Sequence, residues 1–135
     1  MPRATGEFTV KLIPKTQPQE PARTIPLFNQ MTNDKEWSGD LVATSMGEMI
    51  SAGTAVPNSA AYVSLERVEG TLADRKGSFV LAHYGIMDRG KGTLTVVIVP
   101  DSGTEQLAGI TGTLTIKIDA AGKHFYDLEY ELLDK

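Results

Sequence analysis

The sequence predicts an all-β fold, a single antiparallel closed β-barrel of about eight strands. Three observations carry that expectation. Period-2 runs rich in β-branched and aromatic residues dominate the 135-residue chain, turn chemistry ends each of them, and no stretch holds a helical period of useful length. Strands at such short intervals pair with their sequence neighbours, and about eight of them in one small chain close without leaving an exposed edge.

The first run is EFTVKLI, residues 7–13, followed by PKTQPQEPARTIP, residues 14–26, whose four prolines predict an extended surface connection rather than a linker to another domain. KEWSGDLVATSMGEMI (35–50) reads next, then AAYVSLERVEGTL (60–72) and GSFVLAHYGIM (77–87). GTLTVVIV (92–99), GTLTIKID (112–119) and KHFYDLEYEL (123–132) complete the series. Between them lie VPNS (56–59), ADRKG (73–77), DRGKG (88–92), PDSGTEQLAGITG (100–112) and DAAGK (119–123), where Gly supplies unusual φ and Pro and Asp set turns. The ADRKG turn makes 60–72 and 77–87 hairpin neighbours.

A chain of this length fits one domain, 1–135, and buries a real core without staples. It has no cysteine, which excludes disulfides, thiolate metal sites and a cysteine nucleophile. A formal charge of −4 with Lys and Arg spread along the chain argues against a nucleic-acid partner. The first residues lack the apolar stretch of about 7–15 residues of a signal peptide, and no run approaches the ~20 residues of a membrane span. The expectation is a soluble, cytoplasmic protein with no membrane partner. No phosphate-loop or nucleophile-elbow pattern surrounds Ser102, so that stretch reads as a wide Gly-rich connection. His83 and His124 lack ligand spacing, and neither a metal nor a cofactor is expected.

The blocks GEFTVK, WSGDLVATSMGE, AAYVSLERVEGTLADRKGSFVLAHYG, VPDSGTEQLAGITG and YDLEYEL resemble, in that order, the DUF3224 family of small bacterial proteins. The resemblance runs from Gly6 to Leu132 and is most specific over 62–85 and 100–109. It implies a barrel similar to that of allene oxide cyclase, calycin-like and antiparallel. It implies little about activity, because the family has no settled one. Asp74 and Asp101 stand where the family often has Gly, Ala82 where Gln is common, and Gln106 where Glu is usual.

Strand parity frames the candidate site. Tyr62, Ser64, Glu66 and Val68 share one face of their strand, and Phe79, Leu81 and His83 share one face of the next. Hairpin pairing lets the two sets meet, yet period alone leaves open whether Glu66 or Arg67 faces inward. Glu48 alternates in phase with apolar Met46 and Ile50, which points it to the lumen, where a resemblance to cyclase barrels would give a carboxylate the task of steering substrate charge. Glu48, Glu66 and His83 are therefore the candidate catalytic groups, with Tyr62, Phe79, Leu81 and Met46 as ligand-binding neighbours. Trp37, Phe79, Phe125 and Tyr126 read as packing.

Three readings stay open. One is a module binding a small apolar or amphipathic molecule in the lumen through a few polar anchors. Another is a cofactor-independent isomerase or cyclase. The third is a structural barrel with a filled core. Either parity of TVVIV (95–99) leaves Val or Ile outside, which predicts a homodimer.

Overall fold

The computed structural model describes residues 2–14 and 28–132. Eight strands follow in order: β1 (Arg3–Pro14), β2 (Asn29–Gly39), β3 (Leu41–Gly53), β4 (Ala60–Leu72), β5 (Arg75–Asp88), β6 (Lys91–Ile98), β7 (Thr111–Ile118) and β8 (His124–Glu131). Each pairs antiparallel with the next, and β1 pairs with β8 to close the barrel. The only helical element among the described residues is a short 3₁₀ turn, Glu105–Leu107. Among the described residues no helix is long and apolar enough to cross a membrane. Apart from Pro14, which ends β1, the Pro-rich connection 14–26 lies outside the described residues.

The turns explain the register. Leu72 pairs with Arg75, so Ala73 and Asp74 alone reverse the chain, at φ of 46° and 68°. Positive φ at both central positions is the turn whose twist matches a hairpin. Arg89 and Gly90 do the same between β5 and β6, where Asp88 pairs with Lys91. Between β7 and β8 the Asp119 carboxylate accepts hydrogen bonds from the amides of Ala121 and Lys123. The run 35–50 divides into two strands at Gly39, whose φ of 95° makes a corner, and β2 begins earlier, in the polar stretch from Asn29.

The connection after β6 takes up an edge that β6 leaves. β6 pairs with β5 only from Leu81 onward. Below that point the Ser102 hydroxyl accepts from the Val80 amide, Thr104 Oγ1 from Ser78 and Gln106 Oε1 from Lys76, at 3.0, 3.0 and 2.8 Å. Side chains thus continue the ladder, and Leu107 and Ile110 from the same connection are fully buried against the barrel. Ser102 is accounted for by this structural task.

One end of the barrel is therefore packed solid, by Leu41, Leu72, Phe79, Leu107, Ile110 and Leu128, each at most 1% exposed. Above them Trp37 stacks on Phe8 with centroids 4.7 Å apart and meets the edge of Tyr126 at 5.1 Å. The other end, around Leu12, Leu94 and Ile118, is open. On β6 the structure turns Val96 and Ile98 inward, leaving Thr95 and a half-buried Val97 outside. The large outward-facing apolar surface lies instead on β3–β5.

Candidate functional site

Four polar side chains from four adjacent strands meet inside the barrel. Glu66 on β4 is 1% exposed. Its Oε1 accepts from Lys35 Nζ on β2 at 3.0 Å and from His83 Nε2 on β5 at 2.7 Å. Its Oε2 accepts from the Ser45 hydroxyl on β3, which in turn accepts from Trp37 Nε1 at 3.0 Å. Lys35 and Glu66 are separated by a whole strand, and they touch because β3 presents only small residues there, Ser45 opposite Lys35 and Gly47 opposite Glu66.

Burial alone pushes the Glu66 carboxyl up. The hydrogen bond from His83, the Lys35 charge and the hydrogen bond from Ser45 outweigh it and hold the group below its ordinary value. Glu66 is thus an anion whose two oxygens are both engaged. The Lys35 ammonium also lies 5.1 Å from the Phe8 ring centroid and 5.6 Å from that of Trp37, so aromatic faces share in its solvation.

A cavity of about 180 Å³ opens above this layer toward the free end of the barrel. Its rim is apolar, with Val10, Leu12, Leu94, Ile116 and Ile118, and its floor holds Asn33, Lys35, Ser64 and His83. Asn33 Oδ1 and Ser64 Oγ are buried there with no hydrogen-bond partner among the described residues. Such atoms are costly to leave unmet. Gly47 makes room for the Asn33 amide, since a Cβ at that position would lie 2.6 Å from Oδ1. Gly85 does likewise for Tyr62, whose Cε1 would be 2.4 Å from a Cβ there, so the ring lies over the glycine with its centroid 6.5 Å from that of His83. Burial and the nearby Glu66 charge raise the Tyr62 phenol. Two broader grooves, about 560 and 600 Å³, run along the β2–β5 wall. They take in outward-facing Glu48 and Leu65, and the luminal cavity with its unmet polar atoms is the better candidate.

The family model for a protein of unknown function, DUF3224, matches residues 4–130. The chain belongs to the DUF3224 family. A crystal structure of a DUF3224 protein of unknown function from Shewanella oneidensis MR-1 is similar to it, with a TM-score of 0.91 and 42% identity over 100% of this chain and 99% of that one. No curated protein matches.

Asp74, Asp101, Gln106 and Ala82, the positions singled out in the resemblance, lie away from the lumen. Asp74 and Asp101, at φ of 68° and 65°, occupy the left-handed region that glycine fits best and Asp tolerates. Gln106 serves through its Oε1. Ala82 is on the outer wall.

Among the residues singled out from sequence, His83 and Tyr62 line the DUF3224 cavity, and Glu66 lies beneath it, joined to it through Lys35 and His83. Phe79 and Leu81 share the face of His83 but are 1% and 0% exposed in the packed half, so they do not line the cavity. Glu48 and Met46 require correction, because both face outward, Met46 with 71% exposure. The interior at that level already holds Lys35, Glu66 and Trp37, and only the small face of β3, Ala43, Ser45 and Gly47, fits opposite them. The apolar alternation of Met46 and Ile50 marks an outer surface. Asn33, Lys35 and Ser45 are the site residues that periodicity missed, and Ser64, which parity places beside Tyr62 and Glu66, joins them. Their one signal is that Asn33 and Lys35 alternate in phase with Trp37. His124 also borders the cavity, with its ring 5.1 Å from Phe8, but among the described residues no group of three His, Asp or Glu is arranged to hold a metal.

Proposed function

We propose that this barrel binds a small, mainly apolar or amphipathic molecule in its lumen, apolar part at the rim and polar part on the floor. The observation that carries the reading is the pair Asn33 Oδ1 and Ser64 Oγ, buried and unmet where the cavity ends. An apolar filled core has no use for such atoms, whereas a ligand supplies their partners. The test is a one-ring fragment screen by ligand-observed NMR, repeated on Leu94→Trp, which narrows the mouth. Hits lost in that variant, with circular dichroism unchanged, support the reading; hits that persist, or none at all, refute it.

A second reading is a cofactor-independent isomerase, and the contact of 2.7 Å between His83 and Glu66 favours it. Glu66, with both oxygens engaged, would orient the imidazole, and His83 would exchange the proton. Solvent-deuterium incorporation into a bound fragment, lost in His83→Gln, is its signature.

We also propose that a second copy of the chain covers the outer face of β3–β5. Ile50, Val63 and Tyr84 pair across these strands, with Leu65 and Met46 beside them. The patch carries Glu48, Arg67 and Glu69 among these apolar side chains, and a two-fold arrangement covers the same face in both copies at once.

A further inference from the structure

We propose that the lumen selects an uncharged ligand whose buried end donates hydrogen bonds, a phenolic or alcoholic hydroxyl on a body about one ring in size, and rejects carboxylates of that size. The inference rests on the lumen-binding reading and narrows its ligand.

Hydrogen-bond inventory decides the polarity of the ligand head. Asn33 Oδ1 is an acceptor without a donor, and Ser64 Oγ accepts as readily as it donates. An ionised carboxylate only accepts, so His83 Nε2 carries the hydrogen in its contact with Glu66. The floor also carries donors, the Lys35 ammonium and the Asn33 amide nitrogen, but its two unmet buried atoms are oxygens that can accept, and a hydroxyl or N–H satisfies them where an ether or carboxylate does not.

Charge decides against ions. The Lys35 ammonium is already matched by Glu66 at 3.0 Å. A ligand anion would gain that cation and meet that carboxylate at once, after losing its own hydration. A ligand ammonium would meet Lys35. Size follows from the cavity, about 180 Å³, since an apolar cavity of about 150 Å³ takes up benzene. The apolar rim receives the ring, and the floor receives its substituent.

The experiment is a titration of the full chain with four probes of one size, p-cresol, 4-methylanisole, toluene and p-toluate, followed by NMR and calorimetry. We expect p-cresol to bind about tenfold more tightly than toluene or 4-methylanisole, one good hydrogen bond's worth, and p-toluate to bind more weakly than all three. Ser64→Ala should bring p-cresol down to the affinity of toluene while leaving toluene unchanged, and its melting temperature should not fall, because the variant deletes a buried hydroxyl that has no partner. Asn33→Leu provides the same comparison at the second acceptor. Equal binding of p-cresol and toluene overturns donor selection and leaves lumen binding standing. Preference for p-toluate overturns it in favour of an anion site. Failure of all four probes overturns both readings together.

Discussion

His83 Nε2 lies 2.7 Å from Glu66 Oε1, across the β4–β5 pair, and the same oxygen accepts from Lys35 at 3.0 Å. One carboxylate oxygen thus ties an imidazole and an ammonium from strands on either side. The arrangement makes Glu66 a structural hub first and a chemical group second.

The hub predicts a large cost for breaking it unevenly. Lys35→Met or Glu66→Gln leaves a buried charge without its counterpart and should destabilise the fold by about 3–5 kcal/mol. The double change Lys35→Met with Glu66→Leu should recover most of that loss, since no charge remains. Urea unfolding of the four proteins checks it, and a double variant no more stable than either single one would contradict the argument.

Stability should also depend on acidity through the same group. Burial raises Glu66, but its hydrogen bonds and Lys35 hold it below the ordinary value near 4.5. The unfolded chain therefore takes up this proton at a higher pH than the folded one. Its contribution is complete above about pH 4.5 and is lost as pH falls through the lower, folded-state value. The melting temperature of the wild type should drop in that window, and Glu66→Gln should show a shallower drop from a lower plateau.

These residues also mark how far periodicity reaches. The β4–β5 hairpin is legible because a tight turn preserves parity, so Tyr62, Glu66 and His83 share a side once any one of them is inside. β3 is not legible in that way. Its face is chosen by what stands opposite, and the bulk of Lys35, Glu66 and Trp37 overrides the apolar alternation that favoured Glu48 and Met46. β2 hides for a related reason, because its inward positions at the site are Asn33 and Lys35, which read as solvent-facing until their partners are known.

Turn chemistry supplies another prediction. Ala73 has φ of 46°, a region that costs a residue with a Cβ about 1–2 kcal/mol. Ala73→Gly relieves it at a smaller entropic cost, and a net gain of about 0.5–1 kcal/mol should raise the melting temperature by about 2–4 °C. Calorimetry decides, and a lower melting temperature would show that the hairpin gains nothing there.

The barrel should open first at one seam. β6 and β7 share a single registered pair, Val97 with Thr113, whereas β4 and β5 are paired along their whole lengths. Amides of Thr113 and Thr115 should exchange with deuterium at least tenfold faster than those of Leu65 and Arg67 if local opening follows the sparser ladder. Uniform protection around the barrel would refute this.

Self-association should follow the outer wall of β3–β5. Outside the sparse β6–β7 seam the closed barrel leaves no strand edge free, so at β3–β5 two copies meet face to face. The wall offers Met46, Leu65 and Tyr84 at 71%, 61% and 53% exposure, a density of apolar side chains that water does not favour. The β6 wall offers only a half-buried Val97 beside Thr93 and Thr95, too little to hold a partner. Light scattering at tens of micromolar should therefore give twice the chain mass. Leu65→Glu with Tyr84→Glu should return it to a monomer while circular dichroism stays unchanged, because neither side chain enters the lumen. Val97→Glu should leave the dimer intact. A monomeric wild type, or dissociation by Val97→Glu alone, would remove β3–β5 as the contact face.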